Sequence, residues 1–182
     1  MHAIINGRIV LHDTVLDGCV LLFDKKITGI VSRETLDTAW ENGKCWQGKP
    51  LILTDVSGAY VSPGFINLHI HGCAGADTMD AEEDTLAVMS RFLIQTGVTS
   101  FLPTTMTGEV SAIQKVLARI RDNMTLITRR RDEKHEPFAS AEALAYDTAV
   151  PERCLLPGAK ILGAYLEGPF ISSVYKGAQK EE

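Results

Sequence analysis

The feature that most constrains the fold is a change of regime at Ser62-Pro63-Gly64: short strands and turns precede it, and strand alternates with helix after it. Such alternation is the signature of a parallel α/β sheet whose helices make the crossovers. The first strand spans 65–71. Asp80 and Glu83 have the spacing of a capping box, and Leu86, Met89, Phe92 and Leu93 follow at helical spacing until Gly97 closes the helix. A second strand, 98–102, ends at Pro103. A longer helix starts near 108, with Ile113, Val116, Leu117, Ile120, Met124 and Ile127 on one face and Arg129-Arg130-Arg131 at its end, where cations suit the helix dipole. After an excursion over 132–158, with a short helix near 141–145, a third strand spans 161–166 and runs into Glu167-Gly168-Pro169.

Ahead of the boundary, Asn6-Gly7 lies between Ile4-Ile5 and Ile9-Val10, and Asp24-Lys25 lies between two further apolar runs. Both read as hairpin turns of a small antiparallel module. Residues 32–50 show no sustained period, and 51–53 begin another strand. The expected division is therefore a β module over 1–61 and an α/β region over 62–182.

Composition narrows the range of partners. A net charge of -5 over 182 residues leaves no basic field to attract nucleic acid or anionic membranes, so a small molecule is the expected ligand. No apolar run reaches the ~20 residues of a membrane span, and the first residues lack the order of a signal peptide, so cytoplasm is the expected compartment. The cysteines, Cys19, Cys45, Cys73 and Cys154, form no C-x-x-C pair and suggest neither a zinc knuckle nor a redox dithiol.

In Phe65-Ile66-Asn67-Leu68-His69-Ile70-His71, period-2 geometry sets Asn67, His69 and His71 on one face and the three aliphatic residues on the other. Of five histidines, only His69 and His71 have the spacing of metal ligands. An isolated H-x-H fits a solvated edge strand as well. Its context, Ser-Pro-Gly-Phe-Ile before it and a later strand ending in a carboxylate, favours a site at the mouth of a barrel. Glu167, at the end of its apolar strand, is the candidate carboxylate ligand, although a Glu opening a surface turn has the same local sequence. Thr104 and Thr105 end the second strand on the same rim and read as helix-capping hydroxyls with no assigned chemistry. The basic run 129–131 reads as a solvated helix end.

Three segments carry a resemblance: Val61-Ser62-Pro63-Gly64-Phe65-Ile66-Asn67-Leu68-His69-Ile70-His71-Gly72, then Gly97-Val98-Thr99-Ser100-Phe101-Leu102-Pro103-Thr104, then Leu166-Glu167-Gly168-Pro169-Phe170 with the following Lys176-Gly177-Ala178. Together they resemble the N-terminal portion of the N-acetylglucosamine-6-phosphate deacetylases of the amidohydrolase superfamily. The Pro-Gly-Phe-Ile and His-x-His elements are superfamily-wide, and the two strand ends are more specific to the deacetylases.

The resemblance implies a (β/α)8 TIM barrel, of which this chain holds about three βα units, preceded by part of a small β-sandwich. It implies Glu167, His69 and His71 as metal ligands, a divalent ion (zinc, with iron as the alternative), and one or two ions per enzyme. By the same match Ala178 and Gln179 contact an amino-sugar phosphate through their backbone, and the full-length enzyme is a homodimer. The implied reaction is hydrolysis of the acetamide of N-acetylglucosamine 6-phosphate to glucosamine 6-phosphate and acetate. A dihydroorotase-like or aminoacylase-like amidohydrolase shares the H-x-H strand, and a non-catalytic fragment is the other alternative. A complete barrel has eight strands and typically ~250 residues. The expectation is thus that the general acid/base Asp and two further His ligands lie outside these 182 residues, that this chain holds no catalytic residue, and that alone it is inactive.

Overall fold

The computed structural model describes residues 1–133 and 158–179, which fall into two compact units, Met1–Pro63 and Gly64–Glu182. The excursion's centre with its expected helix near 141–145, and the side chains of Ile127 and the three arginines at 129–131, lie outside the described residues. Among the described residues no helix is long and apolar enough to cross a membrane.

The first unit contains β1 (His2–Ile5), β2 (Arg8–Val10), β3 (Val15–Leu16), β4 (Cys19–Phe23), β5 (Ile27–Ser32), α1 (Arg33–Glu41), β6 (Cys45–Trp46), β7 (Lys49–Pro50), β8 (Ile52–Asp55) and β9 (Tyr60–Val61). Two sheets form, in the orders β5-β4-β1-β8 and β3-β2-β9, and β6 pairs with β7. Ala3, Ile5, Val20, Leu22, Leu36 and Leu51 make the core. The turn after Phe23 is a hairpin, with Phe23 opposite Ile27.

Asn6-Gly7 is not a hairpin turn. β1 pairs antiparallel with β4 and parallel with β8, while β2 joins β3 and β9 in the other sheet, so Asn6-Gly7 carries the chain between sheets. Asn6 does adopt a positive φ of 56°, and a Cβ on Gly7 would stand 2.7 Å from a methyl of Val61. The dipeptide thus serves bending and close approach rather than pairing. Residues 33–41, where no period was expected, form α1. Ser32 caps it by accepting the Thr35 N–H at 3.2 Å, and Leu36 is its buried anchor. A nine-residue helix with one buried side chain leaves too little periodicity to detect.

The second unit has β10 (Phe65–Ile70), β11 (Gly72–Cys73), β12 (Ala76–Asp77), α2 (Thr85–Gln95), β13 (Val98–Pro103), α3 (Val110–Glu133) and β14 (Lys160–Ile161). β10, β13 and β14 form a parallel sheet with β13 in the centre. Leu86, Met89 and Leu93 of α2 and Val116 and Ile120 of α3 pack with Phe101, Ala159 and Ile161 in one core. Each large side chain so buried contributes about 1.5–3 kcal/mol of transfer free energy. Phe92, expected on the same face, is 38% exposed.

Asp80 does not cap α2. The helix starts after Asp84, and the Asp80 carboxylate instead accepts the Asp77 N–H at 2.7 Å, tying a turn. Gly97, at φ 82°, ends α2 as expected and donates to Ile94 O. On β10 only Ile70 of the three aliphatic residues packs on the core, whereas Ile66 and Leu68 are 58% and 60% exposed. The third strand is shorter than expected: regular pairing stops at Ile161, and contact resumes as a bridge between Thr104 and Tyr165.

That interruption sets which side chains reach the strand ends. Ser100 pairs with Lys160 and Phe101 with Ile161, but Thr104 pairs with Tyr165, one residue further along the third strand than regular pairing would give. In an unbroken strand Ile161, Tyr165 and Glu167 would share a face. The extra residue reverses the alternation. Ile161 and Ala164 pack against the helices, and Tyr165 and Glu167 turn to the opposite side, towards the histidines.

Candidate metal centre

Three strand ends build this site. β10 delivers His69 and, one residue past its end, His71. β13 delivers Thr104 and Thr105 immediately after it ends, and the segment beyond β14 delivers Tyr165 and Glu167. The Nε2 atoms of His69 and His71 lie 3.3 Å apart, and Oε2 of Glu167 lies 3.0 Å from the first and 3.3 Å from the second. Among the described residues these are the group of His, Cys, Asp or Glu side chains whose ligand atoms converge, all within 4.8 Å of one another. Two imidazole nitrogens and one carboxylate oxygen suit a borderline-soft divalent cation.

Backbone contacts fix the imidazoles. His71 Nδ1 sits 3.2 Å from the Thr104 carbonyl oxygen. That oxygen accepts only, so Nδ1 carries a proton and Nε2 is the nitrogen that faces the cluster, the arrangement in which a metal-binding imidazole is oriented by its other nitrogen. The His69 N–H donates to Asn67 Oδ1 at 3.1 Å, where the register of β10 against β13 slips between Asn67 and Ile70. Asn67 is thereby turned onto its own strand. The Tyr165 ring lies against His69 with centroids 4.9 Å apart, and the two imidazoles meet edge to face at 5.0 Å.

The threonines after Pro103, assigned no chemistry from sequence, hold the site. Thr104 Oγ1 accepts the Ile70 N–H at 2.9 Å, between the two histidines. Thr105 Oγ1 accepts the Glu167 N–H at 3.1 Å and donates to Glu167 O at 3.3 Å. Both threonines are wholly buried. Gly168 follows at φ 78°, so near Thr107 that a Cβ would stand 2.4 Å from its Oγ1. A sequence signal for this existed: Pro103-Thr104-Thr105-Met106-Thr107 concentrates hydroxyls where the strand leaves the sheet, and helix capping accounts for one of them at most.

Of the two residues expected at a sugar, Ala178 is exposed, while the Gln179 side chain is buried and turned inward. Gln179 Oε1 accepts the Thr107 N–H at 2.8 Å, and Nε2 donates to Glu167 Oε1 at 2.5 Å.

Comparison with known proteins gives a consistent result. Residues 60–154 match the model of the amidohydrolase family. The chain is 42% identical over 120 residues to an N-acetylglucosamine-6-phosphate deacetylase of Bacillus subtilis, covering 66% of this chain and 24% of that protein. It is 32% identical over 135 residues to an N-acetylgalactosamine-6-phosphate deacetylase of Escherichia coli O157:H7, covering 73% of this chain and 28% of the relative. The fold is similar to the crystal structure of the N-acetylglucosamine-6-phosphate deacetylase of Pasteurella multocida, with a TM-score of 0.66 at 24% identity, over 99% of this chain and 37% of that one. The chain thus spans about a quarter to a third of the length of the curated relatives it matches.

Proposed function

The chain belongs to the amidohydrolase family, and from that premise we propose that it supplies the first three βα units of a (β/α)8 barrel, together with part of a small β-sandwich from residues 1–61, in an enzyme that deacetylates N-acetylglucosamine 6-phosphate. The observation that carries the proposal is the meeting of His69 and His71 with Glu167 across the central strand β13, at the end of the sheet where such barrels hold their chemistry. His69, His71 and Glu167 are the residues that would hold a divalent metal, zinc or alternatively iron, as one ion or two. When bound, that ion polarises the amide carbonyl and makes water nucleophilic near neutral pH.

The chain's own residues then have defined tasks. The Thr104 carbonyl keeps the His71 ring in the tautomer whose Nε2 faces the cluster. Thr105 clamps the Glu167 backbone so that its carboxylate projects towards the histidines. Tyr165 walls one side of His69. The backbone at exposed Ala178 and at its neighbour Gln179 contacts the sugar. The proton that leaves with the amine is handled by an Asp elsewhere in the full barrel, where two more His ligands complete the metal shell. The full protein works as a cytoplasmic homodimer.

The test is acetate release from N-acetylglucosamine 6-phosphate by the metal-loaded protein that carries the whole barrel, with loss of turnover in Glu167→Ala. Absence of turnover in the unaltered protein refutes the substrate. The likeness to an N-acetylgalactosamine-6-phosphate deacetylase supports a second reading, the galactose epimer, and kcat/KM for the two sugars in parallel decides between them.

A further inference from the structure

Gln179 stands out by its burial. It follows exposed Gly177 and Ala178, yet it is only 6% exposed, and both ends of its amide are engaged. Oε1 accepts the Thr107 backbone N–H at 2.8 Å, and Nε2 donates to Glu167 Oε1 at 2.5 Å, with Met106 Sδ also 3.4 Å from Nε2. The orientation of the amide is not arbitrary. Rotated by half a turn, it would set its NH2 against the Thr107 N–H, donor against donor, and its oxygen against a carboxylate oxygen.

The consequence falls on Glu167. One of its oxygens is taken by Gln179, and the other, Oε2, is the atom facing both His69 Nε2 and His71 Nε2. A carboxylate free at both oxygens can swing or ligate through both. This one is pinned at the backbone by Thr105 and at Oε1 by Gln179. We propose that Gln179 is the positioning residue of the metal centre: it ties up Oε1 so that Glu167 offers a single oxygen, Oε2, to a divalent cation shared with the two histidines. This rests on the metal-site reading above and adds a role to a residue that the resemblance placed only at the sugar.

The experiment uses the protein that carries the whole barrel, titrated with Co(II) and Zn(II), with Gln179→Met and Gln179→Asn as parallel variants. The first removes the amide at nearly constant shape, and the second keeps an amide but withdraws it by one methylene. Far-UV circular dichroism verifies that each variant folds. The expected result is Co(II) binding about 10–100-fold weaker in both variants, the usual effect of losing a ligand's outer partner. It comes with a changed visible band of bound Co(II), because that band reports coordination number and a loss of general packing does not alter it. Wild-type affinity with an unchanged band in either folded variant overturns the role of Gln179 while leaving the metal site standing. If the unaltered whole-barrel protein takes up neither metal, the metal-site reading fails, and this inference fails with it.

Discussion

Two threonines two residues apart allow the hydrogen bonding around Glu167 to be weighed by one substitution made twice. Thr105→Val removes a hydroxyl that accepts the Glu167 N–H at 3.1 Å and donates to the Glu167 carbonyl at 3.3 Å. At about 1 kcal/mol for each net hydrogen bond, the loss is about 2 kcal/mol. Thr107→Val removes a hydroxyl that is buried with no hydrogen-bond partner among the described residues. There the unpaired group already carries a desolvation penalty, so replacement by a methyl is neutral or stabilises by about 1 kcal/mol. The two variants should therefore differ by about 2–3 kcal/mol. With a urea slope of about 2 kcal/mol per molar, their unfolding midpoints separate by roughly 1 M, Thr105→Val being the lower. Equal midpoints, or the reverse order, would refute the claim that Thr105 is the clamp of the Glu167 backbone.

Other perturbations follow from the same structure. Phe101→Ala, in the wholly buried centre of the second unit, should cost about 3–5 kcal/mol in denaturant unfolding. Gly168→Ala combines a φ of 78° with a Cβ 2.9 Å from Thr107 Cα, so it should destabilise by about 1–3 kcal/mol and weaken Zn(II) uptake by displacing Glu167, read by calorimetry. Lys49 and the terminal ammonium hold the Asp24 carboxyl below its ordinary value, and the Ser57 N–H and Asn6 amide do the same for Asp55. A depressed folded pKa contributes stability above the unfolded value that is lost as pH falls through the folded one. The melting temperature should thus fall on acidification below about pH 4, and less so in the double variant Asp24→Asn, Asp55→Asn.

Sequence periodicity located the strand that carries His69 and leads into His71, though it ends at Ile70 rather than at 71, and also the two long helices and Gly97 as a helix terminator, because each depends on local pattern. It failed where a partner distant in sequence decides the outcome. Asn6-Gly7 has the chemistry of a hairpin, but Ala3 and Ile4 find better pairing with Leu21 and Leu22 and with residues near 53. Asp80 and Glu83 have capping spacing, yet the Asp77 N–H claims the Asp80 carboxylate first.

The site shows the same division. The ligand-type side chains were visible because the H-x-H pair and Glu167 close otherwise apolar runs, a local pattern the sequence displays directly. The slip that brings Tyr165 and Glu167 onto the histidine side has no sequence mark beyond Gly163. The grip of Thr105 and Gln179 on Glu167 joins residues 62 and 12 positions away, a separation no local pattern reports.

We propose that His69, His71 and Glu167 form one cation site. Its most direct test is a crystal of the chain soaked in Zn(II), with diffraction data collected on both sides of the zinc absorption edge. One anomalous peak is expected in contact with His69 Nε2, His71 Nε2 and Glu167 Oε2, absent in Glu167→Ala. Zinc bound elsewhere with these three side chains left empty, or an unchanged peak in Glu167→Ala, would contradict it.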